Sequence, residues 1–236
     1  MKVGVVLPHF RTEPNAAIEV AGAADALGIH GAFCYDHLWP MGQPERPAIA
    51  PFPLLGAVAA TTRRLTVGTL VARIGLVPES VLVSQFCALA AVAPGRVVAG
   101  LGTGDRHSAA ENAAYGLGWE PAPVRRAALG SCAQVLATAG VPVWIGGGAP
   151  ATLQVARTAG VAVNLWGATP SAVAAQAQET EVTWGGPVPR GRNEADTRAR
   201  LAALLTHLAR AGATWAVVGY PVELELLADL AAELGT

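Results

Sequence analysis

Asp36 and His37 stand side by side after the apolar run GAFCY, and they are the first pair in the chain able to move a proton or orient a reacting group. A histidine there can hydrogen-bond an oxygen or exchange a proton near neutral pH, and an adjacent aspartate can fix its tautomer. The same dipeptide also suits a turn that caps the loop after a strand. A second stretch, RVVAGLGTGD, places Gly100, Gly102 and Gly104 at every second position and ends on Asp105. Glycines let a chain turn sharply and let a ligand approach the backbone. Exposed N–H groups in such a turn, here Gly102-Thr103-Gly104, suit an anion. The spacing is neither G-x-G-x-x-G nor a P-loop, because no Gly-Lys-Ser/Thr follows. Asp105 reads equally well as the N-cap of a helix through Ala109–Ala114. Ser108, Glu111 and Asn112 then become capping and surface residues of that helix. A third stretch, Gly146, Gly147 and Gly148 ahead of a helical segment, suits a phosphate, because backbone amides and a helix N-terminus both favour one. A tight strand-to-helix turn would use the same residues. Arg73 can pair with a phosphate or a carboxylate, or lie at an oligomer surface, and His9 is a weaker candidate at the same kind of strand end.

These residues need elements to carry them. Apolar, β-branched runs predict strands at Lys2–Leu7, Ala32–Tyr35, Leu65–Val71, Arg96–Leu101, Val143–Ile145, Val161–Leu165, Val182–Trp184 and Trp215–Val218. Helical stretches alternate with them: Asn15–Leu27, Leu54–Thr62, a helix opened by Pro78, Val124–Ala139, Ala151–Ala159, Ser171–Gln178, Thr197–Ala211 and Val222–Leu234. The segment from Arg106 to Pro123 carries no clear assignment. Short strands alternating with helices make a parallel sheet with crossover helices. Eight units without a glycine fingerprint after the first strand favour a closed α/β barrel, (β/α)8, over an open sheet. In such a barrel the loops after the strands gather at one end. Here they carry Asp36-His37, Arg73, Asp105, Gly146–Gly148 and Asn164. Trp39, Trp144, Trp166 and Trp184 are read as packing the barrel mouth.

Composition narrows the classes further. The chain has 236 residues, 52% of them hydrophobic and 14% charged. One compact barrel domain over residues 1–236 is expected, with apolar surface left for an oligomer interface such as a homodimer's. A formal net charge of −1 gives no basic footprint for nucleic acid. No apolar run is long enough to span a membrane. Met1-Lys2 leads straight into a strand with no signal-peptide pattern, so a cytoplasmic location is expected. Cys34, Cys87 and Cys132 read as small buried residues of a reducing compartment rather than a disulfide frame or a metal site. Lys2 is the only lysine, which excludes a Schiff-base aldolase.

Four stretches in register resemble the luciferase-like monooxygenase family of flavin- and deazaflavin-dependent oxidoreductases. GAFCYDHLWP is similar to its second strand with Asp-His. RRLTVGTLVARIGLVPESVLVSQFCALAAVAPGRVVAGLGTGD is similar to its third strand, helix and fourth strand. PVWIGGG and GVAVNLWG are similar to its fifth and sixth. The resemblance implies a (β/α)8 TIM barrel with few insertions and a cofactor at the C-terminal strand ends. It implies that Asp36 and His37 lie by the cofactor ring and that Asp105 lies near the reacting carbon, these three being the catalytic candidates. It further implies that Thr69, Leu70 and Val71 form a bulge with a non-proline cis peptide under the ring, and that Gly146–Gly148 hold the phosphate. Cofactor contacts are thus expected at Thr69, Leu70, Val71, Gly102, Thr103, Gly104, Gly146, Gly147 and Gly148, with no metal. The chain departs from the family by short loops, by a missing Glu in the helix Val124–Ala139, and by Ala159-Gly160 where relatives have Ala-Asp-Gly.

The expected function is an oxidoreductase in which the deazaflavin coenzyme (F-420) exchanges a hydride with a small organic substrate. The alternatives are an FMN-dependent monooxygenase using molecular oxygen and a non-catalytic flavin-binding or partner subunit. The partners expected are the coenzyme and a small-molecule substrate.

Overall fold

The structure, a computed structural model, describes residues 1–105 and 107–235. Arg106, the first residue of the unassigned segment, lies outside the described residues. The strands are Lys2–Val6 (β1), Gly31–Cys34 (β2), Thr66–Thr69 (β3), Ala72–Arg73 (β4), Val97–Gly102 (β5), Val143–Gly146 (β6), Ala162–Trp166 (β7), Val182–Gly186 (β8) and Ala213–Val218 (β9). All pair in parallel in the order β3-β2-β1-β9-β8-β7-β6-β5, and β3 pairs with β5 to close the ring. β4 continues β3 past Leu70-Val71 and also pairs with β5, Ala72 opposite Leu101 and Arg73 opposite Gly102. The strand expected at Leu65–Val71 is therefore interrupted, and eight positions in the wall hold nine segments. The Leu70-Val71 peptide is cis, as the resemblance implies.

The helices are Asn15–Leu27 (α1), Pro51–Thr61 (α2), Glu79–Val92 (α3), Ser108–Ala114 (α4), Ala122–Thr138 (α5), Pro150–Ala159 (α6), Pro170–Ala177 (α7), Glu194–Arg210 (α8) and Leu224–Gly235 (α9). Their ends follow local chemistry. Proline occupies the first turn of α2, α5, α6 and α7, where its missing N–H costs nothing. Gly28 and Gly160 close α1 and α6 in the left-handed region, each amide returning to carbonyls of the last turn. α4 and α5 share the β5–β6 connection, so the unassigned segment contains a short helix of its own.

Alternation along each strand sorts two cores. Val3 and Val5 face the helices, while Val6 joins Phe33, Leu70, Val98, Trp144, Ala162, Trp215 and Val217 inside the barrel. Phe33 stacks on Trp144 with ring centroids 5.2 Å apart, and Trp144 meets Trp215 at 5.4 Å. Such bulk fits because glycines face it: a Cβ on Gly4 or Gly31 would lie 3.0 or 2.9 Å from the Phe33 ring. Trp144 therefore fills the barrel interior rather than its mouth. Trp184 packs in the outer core and donates its Nε1–H to the Ala168 carbonyl at 2.9 Å.

The glycine series of β5 has the same kind of cause. β5 runs to Gly102, so Gly100 and Gly102 lie in the strand and not in the turn. A Cβ on Gly100 would stand 2.0 Å from the Thr69 carbonyl oxygen, and one on Gly102 2.5 Å from Val71 Cγ2. Gly146 meets the same neighbour, with Val71 Cγ1 at 2.7 Å. Three glycines thus admit the Thr69–Val71 segment into the wall. Gly100→Ala is expected to cost about 3 kcal/mol or more of unfolding free energy by overpacking. Gly130→Ala, in α5 with its new Cβ at 3.5 Å from Val155 Cγ1, is expected to be neutral or to gain about 0.5–1 kcal/mol. Urea unfolding of both variants checks the contrast.

Candidate active site

Because every strand is parallel, the loops after them converge at one end. They surround a cavity of about 540 Å³, which lies within the range of small-molecule and cofactor sites. Asp36, His37 and Arg73 form one side of it, Thr103, Gly104, Asp105 and Ser108 another, and Gly146–Ala149 with Thr152 and Asn164 a third. Leu70 and Val71 contribute an apolar surface, and Phe10, Tyr35, Met41 and Trp166 an outer rim. Of the expected site residues, Asp36, His37, Leu70, Val71, Thr103, Gly104, Asp105 and Gly146–Gly148 all line this cavity. Thr69 and Gly102 stand behind it in the strands.

A buried ion network organises the first side. Arg73 is 2% exposed and Glu111 1% exposed. Arg73 donates Nη2–H to Glu111 Oε2 at 2.7 Å, and its amide donates to Asp36 Oδ2 at 2.6 Å. The guanidinium Nε lies 3.7 Å from the same Asp36 oxygen. The other Glu111 oxygen, Oε1, stands 2.7 Å from His37 Nδ1, and Oε2 also accepts the Leu38 amide at 3.0 Å. Burial works to raise the Glu111 carboxyl, but the Leu38 amide, His37 and Arg73 outweigh it and hold it below the usual range. An ionised carboxylate only accepts, so His37 must carry its proton on Nδ1. In the neutral ring, Nε2 on the other edge is then the acceptor. Asp36 is pushed the other way: burial raises its carboxyl, and Arg73 offsets this only in part.

Glu111 was not legible as a functional residue. It sits on α4 in the segment without clear assignment, where Ser108, Glu111 and Asn112 are expected as capping and surface residues; Ser108 does pair with Asp105 in the cap. All three are buried. The signal was present in their spacing, because positions three and four apart share one helix face. Asn112 reaches the carbonyls of Gly75 and Gly118, at 2.9 and 3.0 Å, and so fastens α4 to the loop after β4. Arg73 lies at the cavity wall and not at an oligomer surface.

Asp105 serves the local structure at the cavity edge. Its Oδ1 accepts the amides of His107 and Ser108, at 2.8 and 3.1 Å, and the Ser108 hydroxyl at 3.2 Å. Burial works to raise its carboxyl, and these three donors more than reverse it, so Asp105 is ionised at neutral pH. Gly104, at φ +70°, turns the chain into this cap. Across the cavity, Gly147 has φ +126°, and its amide donates to the Asn164 carbonyl at 3.1 Å. That amide is therefore engaged within the fold. Among the described residues no hydrogen bond engages the amides of Gly148 and Ala149 or the Thr152 hydroxyl, which stand at the N-terminus of α6. His9 is packed behind the rim instead of facing the cavity. Its Nδ1–H donates to the Leu7 carbonyl at 2.9 Å, and its ring lies against Phe10 and Tyr35. Burial lowers its pKa. Among the described residues no cluster of three or more His, Cys, Asp and Glu side chains could hold a metal ion. Cys34 and Cys132 are buried as expected, whereas Cys87 is exposed, and all three are free.

Comparison with known proteins starts from this geometry. The model of the luciferase-like monooxygenase family matches residues 1–128, which carry Asp36-His37, Arg73 and Asp105. The chain belongs to the luciferase-like monooxygenase family. An F420-dependent glucose-6-phosphate dehydrogenase of Microbacterium testaceum is 35% identical over 117 residues, covering 48% of this chain and 33% of that protein. An F420-dependent hydroxymycolic acid dehydrogenase of Mycobacterium tuberculosis is 33% identical over 105 residues, covering 44% and 29%. These alignments thus span about a third of the length of the curated relatives. Among solved structures, an F420-dependent secondary alcohol dehydrogenase superposes with a TM-score of 0.78 at 15% identity, over 99% of this chain and 97% of the other. EDTA monooxygenase from Chelativorans sp. BNC1 gives 0.78 at 13% identity, over 100% and 93%. Both likenesses show the luciferase-like barrel fold. Among the described residues no helix is long and apolar enough to cross a membrane.

The ion network of this luciferase-like barrel makes a stability test. Arg73→Met leaves Asp36 and Glu111 buried without their cation and is expected to cost about 3–5 kcal/mol. Adding Glu111→Gln removes one stranded charge, so the double variant should be less destabilised than the two single losses summed, as read in urea unfolding. Because the Glu111 pKa is lowered by folding, its contribution is present above its unfolded value and is lost as pH falls through the folded one. The acid side of the stability profile, below about pH 4.5, should accordingly flatten in Glu111→Gln.

Proposed function

We propose that this chain binds a deazaflavin coenzyme in the 540 Å³ cavity and, with it, interconverts an alcohol and a carbonyl compound, His37 carrying the proton. The observation that carries this reading is the His37–Glu111 pair at the cavity wall, opposite the turn at Gly146–Ala149. The residues present fit the coenzyme's parts. Leu70 and Val71 offer an apolar face for a flat ring. The free amides of Gly148 and Ala149 and the Thr152 hydroxyl suit a phosphate at the start of α6. The curated relatives named above are F420-dependent enzymes, which supports a deazaflavin over FMN.

When bound, the coenzyme would supply the hydride acceptor or donor, and the protein's part is to bind, orient and move the proton. In the oxidation direction, with the hydride taken by the coenzyme, His37 Nε2 would take the hydroxyl proton of the alcohol. In reduction the same nitrogen returns the proton to the carbonyl oxygen. Glu111 keeps Nδ1 protonated and stabilises the imidazolium that forms; Arg73 holds Glu111, and Asp36 holds Arg73. Asp105, ionised and engaged as a cap, shapes the wall and contributes negative charge to it without donating a proton.

Titration with the deazaflavin coenzyme should show a micromolar dissociation constant, about 8 kcal/mol, with weaker FMN binding. Thr152→Val should weaken coenzyme affinity at least about tenfold, through loss of one hydrogen bond to a charged group. His37→Ala should leave that affinity intact and lower turnover of an alcohol substrate by about 10²–10⁴-fold. Tighter FMN binding with oxygen uptake by the reduced complex would replace this reading by the monooxygenase. Binding of neither coenzyme would leave a non-catalytic subunit.

A further inference from the structure

Next to the coenzyme cavity lies a second one of about 470 Å³. Tyr35 and Trp166 line both and form the partition between them. The Tyr35 ring is 6.4 Å from that of His37 and 5.5 Å from that of Trp166, edge to face in both cases. The far wall of the second cavity is Tyr220 with Pro187 and Pro221. Trp166 is 48% exposed and Tyr220 41%, so two large aromatic side chains of the lining are accessible.

Its polar side-chain groups are the Arg190 guanidinium, the Tyr35, Thr197 and Tyr220 hydroxyls and the Trp166 indole N–H. Arg190 is the one charged side chain in the lining, and among the described residues it has no ion-pair partner. The loop that bears it is tied down on the C-terminal side: Gly191 donates its amide to Thr197 Oγ1 and Arg192 to Asp196 Oδ2, each at 2.9 Å. Asp196, whose Oδ2 accepts from this loop, is already engaged by Arg200 at 3.0 Å and Arg192 at 3.6 Å. Two backbone amides of the lining are engaged as well, Gly191 by Thr197 Oγ1 and Gly219 by the Gly186 carbonyl at 2.8 Å. No Asp, Glu, Asn, Gln or His is among the described lining residues. A sugar brings several hydroxyls, each of which must find a partner or lose free energy on burial. A flat apolar ring needs only the aromatic faces, and a single carboxylate matches a single guanidinium fork. Lys2 cannot help an anion here, because it lies 5.3 Å over the Trp215 ring at the other end of the barrel.

We infer that this second cavity is the substrate subsite and that it takes a ring-bearing, largely apolar molecule with one carboxylate, held on Arg190, its reactive carbon reaching past Tyr35 toward His37. The inference rests on the coenzyme reading only for the role of the first cavity. Apart from Tyr35, the subsite residues named here lie beyond residue 128, where the family match ends. The sugar phosphate in a relative's name is therefore not carried by the matched residues.

The direct titrations use the full chain without coenzyme, so that a failure of the coenzyme reading does not touch them, and the coenzyme is added only in a final competition. Naphthalene-2-carboxylate, naphthalene-2-methanol and glucose 6-phosphate are titrated by calorimetry and by tryptophan fluorescence. The carboxylate should bind, and glucose 6-phosphate should not. Arg190→Gln, a change at an exposed side chain, should weaken the carboxylate about tenfold and leave the uncharged alcohol unchanged. Trp166→Ala should weaken both aromatic probes, with circular dichroism confirming that the variant is folded. Preferred binding of glucose 6-phosphate, no binding of the carboxylate, or an equal effect of Arg190→Gln on both aromatic probes would overturn the inference. So would displacement of the carboxylate by the deazaflavin coenzyme, which would put both ligands in one cavity.

Discussion

The arrangement at the barrel mouth depends on one buried guanidinium. Asp36 and Glu111 come from distant parts of the chain, one after β2 and one on α4, and both are buried. Two carboxylates that close would not tolerate joint ionisation in an apolar wall without a cation. Arg73 supplies it, and its backbone position is fixed by β4 against β5. Through Glu111 the same charge reaches His37. The orientation of the one imidazole at the cavity surface is therefore set by a strand that begins only after the Leu70-Val71 interruption.

That dependence explains the glycine pattern in another way than a ligand would. Gly100 and Gly102 on the adjoining β5 and Gly146 on β6 face the Thr69–Val71 segment, where a Cβ would meet Thr69 or Val71. They are silent about phosphate. What they permit is the close seating of the segment that delivers Arg73. The turn residues proper, Gly104 and Gly147, have positive φ, and the Gly147 amide is engaged by the Asn164 carbonyl. At the start of α6 the groups left for a coenzyme phosphate belong to Gly148, Ala149 and Thr152.

Much of the barrel could be read from the sequence because hydrophobic runs and helix stops are local properties. All eight expected strand positions are present, several of them extended at the C-terminal end by glycines, as with Gly146 and Gly185-Gly186. The expected strand at Leu65–Val71 breaks for a reason that lies 30 residues away on β5. Asp36, His37 and Asp105 were legible as polar residues at strand ends, and all three line the cavity. Glu111 was not, because AAENAA looks like the exposed face of any alanine-rich helix. Only the three-dimensional closure of α4 over the mouth turns its polar face inward. Trp144 was misplaced for the complementary reason: which side of a strand faces the interior depends on register with neighbours, not on the residue.

The lone lysine has a practical consequence. Lys2 lies at the exposed start of β1, against Trp215 and at the end of the barrel away from both cavities. Side-chain amine chemistry on this chain, whether a fluorophore, a biotin or a solid support, thus has one address. A barrel anchored through it would stand on its base with both cavities turned toward the solution.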